Sequence, residues 1–366
     1  MVEPIDVAVI GAGAIGRTHV AKLASAAGMR LSAIVDPLPT AAVLAEFAGV
    51  PCLPDTDALI SSGLARAAIV ATPNETHLPV SEALLRAGLP VLLEKPVAED
   101  LAAALKLIAV ADETGIPVLV GHHRRHNPIV RAAHAAIRSG RIGDLVIASV
   151  TCSLAKPDSY FDAPWRRMPG SGGPLLINLV HEIDLLRHFF GEIASVQAIA
   201  SNDRRNLAVE DSAAVGLTFE KGGIATLVIS DAATGPWAWD LTSGENPARF
   251  PSHEATAHHY AGTRGALSLP DLTLWLPRGE PDWTMALHAE RLAVARGDPY
   301  TAQLAHFGDL VRGDETSPRV SLRDATANLI VIDAIRDAAA SGRRVSIDLP
   351  PWGGPCGIGL NNGIGQ

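Results

Sequence analysis

Short runs of apolar, largely β-branched residues alternate with Ala- and Leu-rich stretches of helical period along roughly the first third of the chain. Strands are predicted at residues 6–10, 31–35, 67–71, 90–93 and 118–120, and helices at 19–27, 79–87 and 101–114. Alternation of this kind predicts a parallel sheet covered by helices on both faces. The rhythm changes after Asn127-Pro128. One helix to about residue 139, a strand at 145–153, a turn-rich stretch at 155–173 and a helix at 175–190 are predicted there. Strand-like runs at 193–201, 212–219, 224–230, 266–269 and 273–276 then follow one another without helices between them. Such a succession predicts an antiparallel sheet. Two late helices, at 301–312 and 322–341, and a short strand at 345–347 complete the pattern, and no internal repeat is found.

The chain of 366 residues exceeds what one hydrophobic core usually serves, and 48% apolar content is enough for two. No apolar run approaches the roughly 20 residues that cross a bilayer, and the opening Met1 to Asp6 carries no basic stretch, so neither a membrane span nor an export signal is expected. A net charge of −9 gives no cationic field for a nucleic-acid backbone. Cys52, Cys152 and Cys356 are odd in number and far apart, which suits a reducing, cytoplasmic compartment better than a disulfide framework.

The most informative local signal is Val7-Ala8-Val9-Ile10 running into Gly11-Ala12-Gly13-Ala14-Ile15-Gly16 at the first strand–helix junction. Gly11 allows a tight turn, Gly13 a close backbone approach to a pyrophosphate, and Gly16 close packing of helix on strand. Ala14 and Ile15 open the helix whose positive end faces the phosphates. Asp36 ends the second strand, where a carboxylate accepts ribose hydroxyls and repels a 2′-phosphate, and Pro37-Leu38-Pro39 supplies no compensating cation. NAD is therefore the expected cofactor, ahead of NADP. The expected architecture is α/β. A dinucleotide-binding Rossmann domain spans residues 1–123, an α+β domain on an open, mainly antiparallel sheet spans 124–349, and a Gly- and Pro-rich tail spans 350–366.

Ala71-Thr72-Pro73-Asn74 with His77, then Glu94-Lys95-Pro96, Trp165-Arg166, Gly172-Gly173 and the segment from Leu175 through His181 to Asp184, resemble the signature of the Gfo/Idh/MocA oxidoreductases. The resemblance covers nearly the whole chain to about residue 345. It implies that Thr72, Asn74, His77, Glu94 and Lys95 line the cofactor or the reacting centre. It also implies a homodimer or homotetramer assembled through the second domain's open sheet. Thr72 to Asn74 and Glu94 to Pro96 follow predicted parallel strands, and open α/β sheets bind ligands at such carboxyl ends.

Oxidising a secondary alcohol needs a group that takes the hydroxyl proton and one that stabilises the forming alkoxide. Lys95 and His181 are the expected pair: lysine is a compact charge whose pKa falls on burial, and histidine exchanges protons near neutrality. Many members of the family carry an aspartate one helical turn before the histidine. This chain has Ile177 there, with Asn178 as a hydrogen-bonding substitute on the same helix face. Arg124 and Asn127, in the polar turn after the last strand of the first sheet, and Tyr160, Trp165 and Arg166 in the turn-rich stretch are the expected contacts to a sugar, inositol or related polyol. The arginines also leave room for a carboxylated substrate. His122, His123 and His126 lack metal-ligand spacing, and no metal is expected. His253, His258 and His259 are expected in loops or at an interface. Two other readings are an NADP(H)-dependent reductase or dihydrodiol dehydrogenase of the same family, and an NAD- and sugar-sensing protein without turnover.

Overall fold

The computed structural model describes residues 3–351. Its first half runs β1 (Ile5–Ile10), α1 (Ala14–Leu23), β2 (Met29–Val35), α2 (Pro39–Ala48), β3 (Cys52–Leu53), α3 (Thr56–Ser62), β4 (Ala67–Val70), α4 (His77–Arg86), β5 (Val91–Leu93), α5 (Leu101–Thr114) and β6 (Val118–Val120). The six strands are parallel and ordered β3-β2-β1-β4-β5-β6. β4 and β5 are buried at every position, as strands covered on both faces must be. Strand order reverses between β1 and β4, so chains leaving these two strands diverge and open a crevice at their carboxyl ends.

Three elements of this half are absent from the sequence expectation: α2, β3 and α3. The first has a physical reason, because Val43 and Phe47 are 69% and 91% exposed and blur the one-sided apolar stripe that marks a packed helix. β3 is only two residues long.

The second half begins with α6 (Pro128–Arg138) and β7 (Leu145–Ser153). After the turn-rich stretch, a π-helical turn (Leu175–Leu179) runs into α7 (Val180–Phe190). Strands β8 (Ile193–Ser201), β9 (Ser212–Phe219) and β10 (Ile224–Ser230) follow, then the one-turn α8 (Trp239–Thr242). β11 (His258–Gly262), β12 (Ala266–Leu269), β13 (Thr273–Leu276), β14 (His288–Arg291), α9 (Pro299–Arg312), α10 (Leu322–Ser341) and β15 (Val345–Ser346) complete the described chain. The nine strands are ordered β14-β13-β12-β11-β7-β10-β9-β8-β15, antiparallel except where β7 and β10 run parallel. Burial alternates along β10: Ala225, Leu227 and Ile229 face the core, while Ile224 and Val228 face outward.

His258 corrects the expectation of a loop or interface histidine. It opens β11, fully buried, with Nδ1 2.7 Å from the Tyr260 hydroxyl and Nε2 3.1 Å from Glu182 Oε2. A strand written His-His-Tyr-Ala-Gly lacks apolar alternation because its inward positions are polar residues that find partners. Cys52 and Cys152 are free thiols, whereas Cys356 and most of the 350–366 tail lie outside the described residues. Among the described residues no helix is long and apolar enough to cross a membrane, and no group of three or more His, Cys, Asp or Glu is placed to hold a metal ion.

A buried ionic network ties the two sheets together. Arg125, in the turn after β6, grips Asp184 of α7 with Nε at 2.9 Å and Nη2 at 2.7 Å. Asp184 also accepts from Asn328 of α10 (2.8 Å), whose amide oxygen accepts from Arg187 (2.6 Å), itself paired with Glu192. Every member of this chain is under 10% exposed. The network holds α7 against α10, so the start of α7 enters the crevice at one angle.

Candidate active site

A cleft of about 2180 Å³ lies between the carboxyl ends of β1, β4 and β5 and the opposing surface made by the π-helical turn, the start of α7 and the 155–171 stretch. On the first-sheet side, Gly11 has φ +95° and sits so close to β4 that a Cβ would meet the Ala71 carbonyl oxygen at 2.5 Å. A Cβ on Gly16 would stand 1.9 Å from the Gly11 carbonyl oxygen, while one on Gly13 would meet nothing within 4 Å. Two glycines therefore close the turn, and the third faces open cleft. The ten-residue α1 begins at Ala14 with no side-chain cap, which leaves its first N–H groups available to an anion. Ala14 and Ile15 line the cleft beside it.

Asp36 is half-buried at the end of β2. Its Oδ2 accepts from the Ala12 N–H (2.7 Å) and its Oδ1 from the Leu38 N–H (2.8 Å). Each oxygen keeps a further lone pair for a hydroxyl. Thr72 and Asn74 line the cleft after β4, and the Thr72 hydroxyl is buried without a hydrogen-bond partner. These features fit a dinucleotide: an uncapped helix end for its phosphates, a carboxylate for its ribose, and polar atoms awaiting partners.

Two residues expected at the cofactor, His77 and Gly16, do not line the cleft. The buried His77 ring lies with Nδ1 2.9 Å from the Pro96 carbonyl and Nε2 3.0 Å from the Thr72 carbonyl, where it ties the loop after β4 to the loop after β5. Gly16 acts through helix packing alone. Glu94 lines the cleft but directs Oε1 at His19 Nε2 (2.8 Å). Burial would raise its pKa, yet the His19 hydrogen bond and charge hold it below the usual carboxylate range.

Lys95 and His181 both line the cleft, close enough for the Lys95 charge to act on the imidazole. The Lys95 ammonium donates to the Ile177 carbonyl (3.1 Å), so a backbone oxygen of the π-helical turn holds the lysine. Burial pushes Lys95 down to about 8, with Arg124 and Lys156 acting in the same direction and Glu94 opposing them. His181 is 7% exposed, and its Nδ1 is buried without a partner. Its ring lies edge-on to those of His122 and His123, with centroids 6.0 and 5.4 Å away. Burial, then the nearby charges of Lys95 and Arg124, keep His181 well below the ordinary histidine value, so it is neutral at neutral pH.

Among the expected substrate contacts, Tyr160, Trp165, Arg166 and Asn178 line the cleft. Asn178 accepts from Lys156 Nζ at 2.8 Å through its amide oxygen and makes no hydrogen bond to His181, whose Nδ1 stays unpartnered. Arg124 lines the cleft, but its charge is already met by Glu182 (2.7 Å) and Asp240 (3.2 Å), under the Trp239 ring. Asn127 is corrected outright: it lies outside the cleft, capping α6 through the Ile129 N–H (2.9 Å) and donating to Glu245 (2.9 Å).

The structure adds residues that the sequence expectation passed over. Lys156 follows β7 and enters the cleft; its place after a strand end was the available signal. Tyr300, 119 positions beyond His181, stacks on His123 with centroids 4.4 Å apart, and the His123 ring also meets Glu245 at 2.9 Å. Asp240 and Arg249 come from the long connection between β10 and β11, which has no periodicity to mark them.

Comparison with known proteins agrees with this layout. Residues 5–122 match the family model described as oxidoreductase family, NAD-binding Rossmann fold, and residues 130–249 match that of the GFO/IDH/MocA C-terminal domain. An inositol 2-dehydrogenase of Rhizobium meliloti is 27% identical, over 92% of this chain and 98% of its own length. A 1,5-anhydro-D-fructose reductase of Ensifer adhaerens is 28% identical, over 81% of each chain. The crystal structure of the WlbA dehydrogenase from Bordetella pertussis, in complex with NADH and UDP-GlcNAcA, shares the fold with a TM-score of 0.78 at 21% identity, covering 95% of this chain and 100% of that one. The chain belongs to the Gfo/Idh/MocA family of NAD-binding oxidoreductases.

Proposed function

We propose that the protein uses NAD to oxidise a secondary alcohol of a sugar, inositol or related polyol, with Lys95 and His181 as its catalytic residues. The observation that carries this reading is that an ammonium with a lowered pKa and a neutral imidazole line the same cleft as an uncapped helix end and a ribose-ready carboxylate. When bound, the dinucleotide supplies the ring carbon that takes the carbinol hydrogen together with its electron pair. Lys95 in its neutral form accepts the hydroxyl proton, and the Ile177 carbonyl orients the resulting ammonium beside the new carbonyl oxygen. His181 positions the substrate oxygen, and Thr72 and Asn74 flank the cofactor. Purified protein supplied with NAD and a panel of polyols is expected to produce reduced nicotinamide with at least one of them. Dinucleotide binding without turnover across the panel would instead support the sensing protein.

The base must be uncharged to act, which sets the sign of the pH dependence. With Lys95 near 8, kcat/KM for alcohol oxidation should rise with pH and level off above about 8, and ketone reduction should fall over the same range. Ile177→Asp, which adds a carboxylate to the cleft at the residue whose carbonyl holds the ammonium, should move both profiles to higher pH.

Preference for NAD over NADP rests on Asp36. In Asp36→Ala the repulsion of a 2′-phosphate is lost, so the ratio of NADP to NAD affinity, measured by fluorescence titration, should increase by at least about tenfold, corresponding to about 1.4 kcal/mol. An unchanged ratio would remove Asp36 from cofactor choice.

The same reading divides the chain into a cofactor domain (1–123) and a substrate and assembly domain (124–349), and it places the protein in a reducing cytoplasm, which suits the free Cys52 and Cys152. Ile147, Ile199, Ile224 and Val228 are 53%, 75%, 52% and 54% exposed on the outer face of the second sheet. Ile147 pairs with Ile224, and Ile199 and Val228 both sit opposite Ala214, so they form two apolar groups, separated by Thr226 and Ser149, on a face suited to a second copy. Light scattering should give a dimer or tetramer, and the Ile199→Lys, Val228→Glu double variant should shift it toward monomer.

A further inference from the structure

We infer that the substrate carries an anionic group, a carboxylate or a phosphate ester, beside its reacting alcohol, and that Lys156 and Arg166, with Arg249 at the rim, receive it. This inference rests on the oxidoreductase reading and narrows its substrate class. The chain as a whole is acidic, with a net charge of −9, yet three cations gather near Tyr160 in the cleft wall, Lys156, Arg166 and Arg249, with Arg205 behind them over Phe161. Among the described residues, the buried carboxylate that forms ion pairs with Lys156 and Arg205 is Asp231.

Asp231 is taken chiefly by Arg205, whose Nε stands 2.8 Å from Oδ1; Lys156 reaches it only at 3.5 Å. Arg205 also donates to the Lys156 carbonyl (2.7 Å) and lies over the Phe161 ring, so its role is to fasten this wall. The other three cations are left with little countercharge. The Lys156 side chain is 7% exposed, donates to the neutral Asn178 amide oxygen at 2.8 Å and lies 4.7 Å from the Tyr160 ring centre. Arg166 is stacked 4.0 Å over Tyr160 and 5.2 Å from Trp165, and Nη1 is held by the Tyr160 carbonyl at 2.6 Å. Its Nε is buried without a hydrogen-bond partner, and among the described residues no carboxylate comes within 4.0 Å of its guanidinium.

A guanidinium fixed between two rings, with its Nε buried and unbonded, is preorganised for the two oxygens of a carboxylate or phosphate, and the buried Lys156, which shares Asp231 with Arg205, adds a second donor. A neutral polyol would leave these donors unmet. The two ends of the cleft are also in register. Lys156 is bonded to Asn178 and Lys95 to the preceding Ile177, so the anion-binding and reacting positions rest on consecutive residues of one π-helical turn. One small molecule can engage both.

The test compares kcat/KM for matched compounds in the presence of NAD: a neutral sugar or polyol, the corresponding sugar acid, and its phosphate ester. The acid or the ester is expected to exceed the neutral compound by about 10–100-fold, the size of one or two charge-assisted hydrogen bonds, and the better of the two identifies the anion. Arg166→Met and Lys156→Met keep the apolar stems and should lower kcat/KM for that anion at least about tenfold more than for the neutral compound, mainly through KM. Equal or better turnover of the neutral compound, or equal losses on both, would overturn the anion subsite while leaving the oxidoreductase reading intact. If no alcohol is oxidised, the reading fails instead, and thermal shift with NAD present still decides the subsite. Stabilisation by the acid or ester but not the neutral compound, lost in Arg166→Met, supports it, and no selective stabilisation overturns it.

Discussion

Lys95→Met is expected to lower kcat for alcohol oxidation by roughly 10²–10⁴-fold, the usual contribution of a positioned general base, while leaving dinucleotide affinity within about threefold. Methionine keeps much of the apolar stem that fills the space above β5 and removes only the ammonium. Cofactor binding should survive because it draws on the end of α1 and on Asp36, neither of which touches the Lys95 ammonium. Lys95→Arg should not rescue turnover, since a guanidinium retains its proton at any working pH and cannot take one from the alcohol. Stopped-flow absorbance for turnover and fluorescence titration for binding separate the two effects. Turnover within about tenfold of the parent protein in Lys95→Met would take Lys95 out of the chemistry.

Arg125→Met should destabilise the fold by about 3–5 kcal/mol, the cost of stranding one partner of a buried ion pair. Asp184 is 1% exposed, and although burial alone would raise its pKa, the Arg125 charge holds its carboxyl well below the usual range. Without the guanidinium, that carboxylate keeps only the Asn328 amide at 2.8 Å and His122 at 3.8 Å. Differential scanning calorimetry should show a lower Tm, and adding Asp184→Asn should recover part of the loss, because an amide needs no countercharge in the same space. The position of α7 depends on this contact, so kcat should fall with stability in the single variant and return with it in the double. A Tm unchanged by Arg125→Met would show that the pair contributes nothing net.

Much of the first half was legible because its signals are local. A buried parallel strand must be apolar at every position, and Val7 to Ile10 running into Gly11 announces both the strand and the turn that follows. The glycine roles were legible for the same reason: Gly11 and Gly16 answer to backbone clearances set within a few residues of themselves, together with the adjoining β4. Other signals were weaker than the structure. α2 shows its apolar residues to solvent, and β11 turns polar residues inward, so periodicity could not assign either one. His77 is given a ligand role by the family resemblance and Asn127 by its place in the turn after β6, whereas both use their polar atoms to fasten loops.

By itself the sequence determined most of the alternating strands and helices of the first half, the dinucleotide turn, the carboxylate at residue 36 and the presence of a lysine and a histidine in the family's motifs. Only the tertiary structure decided how those residues are charged and whom they face. A π-helical turn brings the Ile177 carbonyl to Lys95, burial brings that lysine to about 8, and residues from 156 to 300 close the cleft around it. The physical reason is that backbone conformation answers to neighbours along the chain, whereas desolvation and Coulomb interaction depend on distance in space, and no pattern of spacing records which distant segments will supply the walls.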